Sequence, residues 1–349
     1  MKRDRGGAFP PLVELTLARL REFTREPEAL FWVLVFPILM ACALGVAFRA
    51  QGDEPVVVGV VEGSGSEALH ERLERAAGLT VRRVERGALA VVLQRAEVQV
   101  VVEAGDPPTY HLDPTRAESR LARRIVDDVL QRAAGRSDIF VARDAPIEAV
   151  GSRYIDWLLP GLLGMNIMST GLWGLGFSIV QARTRKLLKR LVASPMRRRD
   201  YLLAQLLGRL VFLAVEVGAL VLFGWLVFGV PVRGALWLLA GICVFGALAF
   251  GGIGLLVASR ARTIEAVSGL LNLVMLPMWV LSGVFFSAAN FPAPMQPIIQ
   301  ALPLTALNDA LRAVMLEAAG VDVIAHELAI LGTWGLVAFA IALRIFRWR

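Results

Sequence analysis

The sequence predicts an α-helical polytopic membrane protein with six transmembrane helices and a small α/β extracytoplasmic domain inserted after the first of them. The 349 residues are 56% hydrophobic and have a mean hydropathy of +0.60, more apolar than a soluble globular chain. Several windows reach about 20 residues with few charges, the length that crosses a bilayer core of roughly 30 Å. Between the first two windows, strand-like and helical patterns alternate, as they do in α/β domains.

The amino-terminal segment, residues 1–28, is predicted to form a cytoplasmic amphipathic helix at the membrane surface. Between residues 10 and 26, leucines recur at roughly helical spacing among Arg and Glu side chains. Such a stripe binds the boundary between water and lipid. An ordinary soluble helix has the same pattern, but the apolar run that follows at once favours the interfacial interpretation.

The transmembrane helices follow from the long apolar runs. The first is predicted at 29–48, where Pro37 is expected to introduce a kink. Five more lie within 157–349, at 157–180, 206–228, 234–257, 264–286 and 325–346. Glycines recur through the second span, which favours close approach of helices in lipid. The segment 287–320, between the fifth and sixth spans, is expected on the extracytoplasmic side.

Basic side chains predict the orientation of these spans. Arg and Lys are concentrated before the first span, in the loops after the second and fourth spans, and in the carboxyl-terminal tail. Because cytoplasmic loops of membrane proteins are enriched in basic residues, both termini are predicted to be cytoplasmic. The expected location is the plasma membrane, in bacteria the inner membrane, with multiple crossings.

Residues 50–150 are predicted to form the extracytoplasmic α/β domain. They contain 17 acidic and 13 basic side chains, a balance opposite to that of the rest of the chain. β-branched or alternating runs predict strands at 55–62, 79–84, 97–104 and 108–113, and helical patterns that stop at glycine predict helices at 66–78 and 116–135.

The sequence contains no motif for catalysis or metal binding. The run GGIGLL at 251–256 lacks the Lys-Ser/Thr pair of a phosphate-binding loop. The three histidines are scattered without metal-ligand spacing, and Cys42 and Cys243 lie in apolar runs, as packing residues do. We therefore expect no enzymatic activity, ATP hydrolysis included, and no cofactor on this chain.

Three polar residues within the predicted spans are candidates for a translocation path or for polar contacts inside the bundle: Asn166, Glu216 and Asn272. A charge at membrane depth is costly, so it usually faces a bundle interior or water. Glu216 is the deepest, and both a substrate path and a helix–helix hydrogen bond remain open for it. Arg209, seven residues earlier, is close enough to the cytoplasmic interface to snorkel.

The loop between the second and third spans, residues 181–204, carries the densest positive charge. Its core RTRKLLKRLVASPMRRRDYLL, at 183–203, has eight Lys or Arg residues and one acid. The pattern predicts a helix that ends at Pro195, a turn, and a second helix; we call this loop the elbow. Nucleic-acid binding lacks support, because neither interleaved aromatic residues nor a groove-reading fold is present. Orientation in the membrane explains the arginines but not the apolar stripe Leu187, Leu188 and Leu191, which docking of a cytosolic partner explains.

The same stretch resembles the cytoplasmic motif of type-2 permeases of ATP-binding-cassette transporters. The matching positions are Leu188, Arg190, Leu191, Ser194, Pro195, Asp200, Tyr201, Leu202 and Gln205. Residues 282–316 are similar to the family's extracellular segment, with matches at Pro303, Leu304, Thr305, Leu311 and Arg312. Where the family usually has Glu, Gly and Thr, this chain has Thr184, Lys186 and Leu187, so its elbow is more basic than usual.

The resemblance implies the membrane subunit of an ATP-driven exporter. Its partners would be cytosolic ATPase subunits, a second permease subunit that forms a homodimer or heterodimer with it, and membrane lipids, but no nucleic acid. The ATPase would contact Lys186, Leu187, Leu188, Lys189, Arg190, Leu191, Ser194 and Pro195. The alternative is a membrane sensor or assembly anchor that does not transport and whose external domain binds a ligand.

Overall fold

The computed structural model describes residues 24–48, 55–137, 153–184, 198–261 and 263–345, together with the single residues 21, 140 and 151. The chain divides into two compact units, residues 49–147 and the remainder. Most of the predicted amino-terminal helix and the eight predicted ATPase contacts of the elbow lie outside the described residues.

A helical run of residues 27–47 occupies the place of the predicted first span. It consists of α1 (Pro27–Leu30), a π-helical turn (Phe31–Val35) and α2 (Phe36–Ala47). Pro27 opens α1, where a missing N–H removes no helical hydrogen bond. Pro37 lies near the start of α2, immediately after the π turn, and it cannot donate to the carbonyl of Val33 four residues earlier.

Five further helices are long and apolar enough to cross a membrane, within the part of the chain that the structure describes. They are α6 (Tyr154–Thr184), α7 (Arg198–Phe228), α8 (Leu236–Arg260), α9 (Ile264–Leu281) and α12 (Ala325–Ile345). The apolar part of the run before them, Phe31–Ala47, is shorter. The predicted polytopic helical architecture is confirmed in this form, while the first span, and with it the count of six, stays a prediction.

Helices α6 and α8 form the centre of the bundle. In each of these two helices, 56% of the most apolar stretch is buried inside the protein. The corresponding share is 22% in α7 and in α9. Glycines allow this packing: a Cβ on Gly254 would lie 2.7 Å from the carbonyl oxygen of Leu172, and one on Gly171 would lie 2.9 Å from Cβ of Phe250. Close backbone approach of this kind is a usual way for helices to associate in lipid.

Helix α9 ends five residues before the predicted end of the fifth span. Its amino terminus is capped by Thr263, whose hydroxyl accepts a hydrogen bond from the Ala266 amide at 3.1 Å. At the other end the chain turns, and Gly283 has a φ of 67°, which side-chain-bearing residues rarely adopt. The apolar residues that follow Leu281 therefore belong to a loop.

The segment between α9 and α12 folds back into the bundle. It contains two short 3₁₀ turns, then α10 (Gln296–Gln300) and α11 (Pro303–Glu317). Eleven residues of α11 are buried, among them Asn308 and Arg312. The loop before α8 pairs with this helix, since the Gly234 amide donates to the Val314 carbonyl at 3.0 Å. Helix α11 is thus enclosed by protein on most of its surface.

Residues 49–147 form a unit with a four-stranded sheet. The strands are β1 (Val56–Val61), β2 (Leu79–Val84), β3 (Val100–Glu103) and β4 (Thr109–His111), in the order β2-β1-β3-β4. The first three are parallel and β4 runs antiparallel to β3. Helices α3 (Ser66–Glu74), α4 (Leu89–Gln94) and α5 (Ala117–Ala133) complete the unit.

The core of this unit is built from alternating β-branched residues. Val58 and Val60 of β1 face the same cluster as Leu73 of α3 and Val126 of α5, and all four are almost fully buried. Val61 belongs to a second cluster on the opposite face. The strands therefore bury both faces, which explains their nearly continuous apolar sequence.

Candidate functional site: a polar cluster between α6 and α7

Three polar side chains within the helical bundle form a connected group, and the backbone carbonyl of a fourth residue, Asn166, lies 2.8 Å from the Thr170 hydroxyl; we call these four residues the Glu216 cluster. Asn166 and Thr170 lie on α6, and Arg209 and Glu216 lie on α7. Arg209 Nη1 donates to Glu216 Oε1 at 3.0 Å, and Arg209 Nη2 donates to the Thr170 hydroxyl. Thr170 Oγ1 lies 3.1 Å from Glu216 Oε2, within donating distance. The cluster therefore joins two membrane helices through an ion pair and a shared hydroxyl.

Helix geometry explains why these residues meet. Asn166 and Thr170 are four residues apart and lie on one face of α6. Arg209 and Glu216 are seven residues apart, two turns of α7, or roughly 10 Å along the axis. Only a side chain as long as arginine can reach across that distance. The stem of Arg209 passes beside Gly174, where a Cβ would sit 3.8 Å from Arg209 Cδ, an ordinary van der Waals contact.

Glu216 is 3% exposed, so its carboxylate depends on its partners. A buried charge without a countercharge is strongly unfavourable, whereas a paired and hydrogen-bonded one is tolerated. Arg209 turns inward to supply that countercharge, and its guanidinium does not extend toward the interface. Arg209 binds one oxygen of the carboxylate, and the other lies 3.1 Å from the Thr170 hydroxyl, whose single proton is shared with the Asn166 carbonyl oxygen at 2.8 Å.

Asn166 extends the cluster to the first helical run. Its Nδ2 donates to the backbone carbonyl of Val33 at 3.1 Å. In a regular helix that carbonyl would accept from the residue four positions later, but this residue is Pro37 and has no N–H. The Asn166 amide therefore supplies the hydrogen bond that proline removes.

The cluster lies on the two helices that enter and leave the elbow. Helix α6 ends at Thr184 and α7 begins at Arg198. Thr170 is about 21 Å of helix before that end, at 1.5 Å per residue. Nearer the elbow, Arg183 Nη1 donates to the Ala261 carbonyl at 2.9 Å and so caps the end of α8. The elbow end of α6 is thereby fixed to α8.

Asn272 is not part of this cluster. It lies midway along α9, and its side chain is exposed on the outside of the helical unit. The structure thus links Asn166 and Glu216 only through Thr170, and it leaves the third predicted residue apart. An amide on the outer surface of an apolar helix faces either another subunit, water or lipid.

Sequence patterns did not single out Thr170 or the Val33 carbonyl. A hydroxyl in a glycine-rich apolar span is common and gives no signal by itself. The position of Pro37 does give one, because a proline inside a membrane helix always leaves a carbonyl without its usual donor. Among the described residues, no group of three His, Cys, Asp or Glu is placed to hold a metal ion.

Comparisons with known proteins agree with this architecture. The family model described as ABC-2 type transporter matches residues 122–316. A Bacillus subtilis (strain 168) protein named as a transport permease, YvfS, is 27% identical over 139 residues, covering 40% of this chain and 56% of that protein. The inner membrane transport permease YhhJ of Escherichia coli (strain K12) is 27% identical over 173 residues, covering 49% and 46%.

A eukaryotic relative is also similar. The ABC transporter G family member 20 of Dictyostelium discoideum is 29% identical over 171 residues, which cover 48% of this chain and 23% of that protein. The chain spans about half the length of the bacterial relatives that it matches. The family model nevertheless covers more than half of the chain, including α6 to α9 and α11. With its bundle of long apolar helices, this chain is a multi-pass membrane protein that belongs to the ABC-2 type transporter family of permeases.

Proposed function

We propose that the chain is the membrane subunit of an ATP-driven exporter. Two permease subunits form the translocation path, and cytosolic ATP-binding-cassette ATPases bind at the elbow and supply the energy. ATP and Mg²⁺ are bound by those ATPases. In this proposal the chain crosses the plasma membrane six times with both termini in the cytoplasm, and the α/β unit is extracytoplasmic. Family membership and the names of the relatives support transport over a sensor or anchor function.

The Glu216 cluster is the observation that carries this proposal. The elbow connects α6 to α7, so any force applied there acts on both helices. Most of α7 is poorly buried, with 22% of its apolar window inside the protein. The ion pair between Arg209 and Glu216 on α7 contacts α6 through the Thr170 hydroxyl, and so connects the two helices by polar contacts. Closure of the ATPases would move the two helices as a pair.

Asn272 supports the dimer. An uncharged amide exposed to hydrocarbon loses its hydrogen bonds to water, at a cost of roughly 2–7 kcal/mol. That cost disappears if the outer face of α9 borders a second permease subunit or a water-filled path. Helix α9 is poorly covered by its own protomer, which agrees with a position next to a second subunit or a water-filled path. We therefore assign Asn272 to the path between two subunits.

The test is co-purification of the ATPase with elbow variants at matched membrane expression. Buried apolar anchors carry most of the energy of an interface, whereas peripheral charges contribute less and are screened by salt. The paired change Leu188→Asp and Leu191→Asp is expected to abolish co-purification and ATP-dependent transport while leaving membrane insertion intact. The matched control, Arg197→Gln with Arg198→Gln and Arg199→Gln, should weaken binding far less. Full ATPase binding by the leucine variant would contradict docking at the elbow.

A further inference from the structure

Three side chains hold the end of α9 that lies farthest from the elbow. Asn308 Nδ2 donates to the Ser282 carbonyl at 2.9 Å, and Tyr154 Oη donates to the Phe285 carbonyl at 2.9 Å. Between them, Arg312 Nη2 donates to the Gly283 carbonyl. The carbonyls of Ser282, Gly283 and Phe285, which follow the last residue of α9, are thus bound by side chains from α6 and α11.

These carbonyls lie in the turn that directly follows α9, next to the negative end of the helix dipole. A cation beside the carboxyl end of a helix is favourable, and Arg312 as a whole is 5% exposed, so its interactions are little weakened by water. This residue therefore stabilises the turn at Gly283 that ends α9.

Arg312 also binds α6. Its guanidinium carbon lies 3.5 Å from the ring centroid of Trp157, a cation–π contact, and Nη1 lies 3.3 Å from Asp309 Oδ1. Gly161, one turn beyond Trp157, has no room for a side chain, because a Cβ would lie 2.6 Å from the Val284 carbonyl oxygen. One arginine thus connects α6, α11 and the end of α9 in a closely packed region.

We propose that Arg312 is a positioning residue for the face of α9 that carries Asn272. By fixing the far end of α9 to Trp157 of α6, it keeps that face in one orientation while the elbow end of the bundle moves. Helix α9 is poorly covered over most of its length, so the attachment by Arg312 contributes to its orientation beside the contacts of Asn308 and Tyr154. The proposal rests on the proposed function, in which the Asn272 face borders the path.

The experiment uses the full chain in lipid nanodiscs without nucleotide, on a background of Cys42→Ala and Cys243→Ala. The change Asn272→Cys provides a labelling position, and two quantities are measured. These are the hydrogen exchange of the amides at 282–286 and the rate of maleimide labelling at position 272. Loss of a buried cation–π contact and a charge-assisted hydrogen bond should speed exchange by about tenfold or more in Arg312→Gln. Labelling at position 272 should change with it.

Two substitutions of Trp157, to Phe and to Ala, keep the test decisive if Arg312→Gln does not fold. Among the described residues, Trp157 Nε1 has no hydrogen-bond acceptor although it is buried, so Trp157→Phe keeps the aromatic face and loses no bond. We expect Trp157→Phe to resemble the parent in both quantities and Trp157→Ala to resemble Arg312→Gln. Arg312→Lys keeps the charge but not the planar stacking, and should fall between the two.

Two outcomes would overturn the proposal. One is unchanged exchange at 282–286 in both Trp157→Ala and any folded Arg312→Gln. The other is faster exchange with unaltered labelling at position 272, which would make Arg312 a purely local contact. Failure of the proposed function is a separate result, since it would appear as absence of ATPase co-purification in the parent protein itself.

Discussion

Arg209 and Glu216 lie two turns apart on the same membrane helix, and their side chains meet at 3.0 Å between Nη1 and Oε1. The pair also encloses the hydroxyl of Thr170 on the neighbouring helix. Two charges that would each be unfavourable in lipid thereby stabilise a contact between helices.

Removal of one member of this pair is predicted to destabilise the protein more than removal of both. Glu216→Gln leaves the guanidinium of Arg209 without a countercharge, and the free energy of unfolding should fall by about 3 kcal/mol or more. The double change Arg209→Met with Glu216→Gln should recover most of that loss. The measurement is the apparent melting temperature in nanodiscs. If the double variant is less stable than the single one, the two charges do not act as a pair.

The hydrogen bond between Asn166 and the Val33 carbonyl predicts a coupling to Pro37. Asn166→Leu leaves a partly buried carbonyl without this donor, which should cost about 1 kcal/mol. In a Pro37→Ala background the backbone N–H is restored, so the same Asn166→Leu change should cost less. A double-mutant cycle of unfolding free energies measures this coupling, and additivity of the two changes would contradict it.

Topology can be tested by labelling a single cysteine in the α/β unit. Leu121 is 58% exposed on α5, whereas its neighbour Ser119 is 3% exposed and would label poorly. On a background without Cys42 and Cys243, Leu121→Cys should react with an impermeant maleimide added to the outside of intact cells. Reaction only after the cytoplasmic side is opened would reverse the predicted orientation.

The phenol of Tyr110 predicts an alkaline transition of the α/β unit. Burial away from water, with the hydrogen bond to Asp127 and the charge of that carboxylate, raises the pKa of Tyr110 to about 12. The unfolded value is about 10. The pKa of the folded state is the higher one, so this group stabilises the fold fully below pH 10 and loses that contribution as the pH rises through 12.

Phenolate absorbance of the full chain measures the Tyr110 transition, with Tyr110→Phe as the control that removes it. Asp127→Asn keeps an acceptor but removes the charge, so the midpoint should fall while staying above 10, because burial is the largest cause. An ordinary midpoint in the parent chain would show that the phenol is not buried in solution.

Much of the helical architecture could be predicted from the apolar runs. The second, third, fourth and sixth spans were placed within a few residues of α6, the apolar part of α7, α8 and α12, because lipid requires about 20 apolar residues. The predicted fifth span extends too far, to residue 286, because Phe285 and Phe286 are as apolar as the helix before them. The end of α9 is determined by the turn at Gly283 and by the side chains that bind the carbonyls of Ser282 and Gly283.

Polar contacts depended on the tertiary structure. The sequence predicted Arg312 within the extracytoplasmic segment 287–320 and Arg209 near the interface, yet both side chains are largely buried in the helical unit. Sequence spacing cannot determine this, because the partners are residues 39 and 155 positions away, Thr170 and Trp157. The sequence by itself determined that the chain is a multi-pass membrane permease, since hydrophobic length and the elbow motif are local properties. Which polar groups meet inside it was decided by the packing of α6 against α7, α9 and α11, which places donors beside buried acceptors.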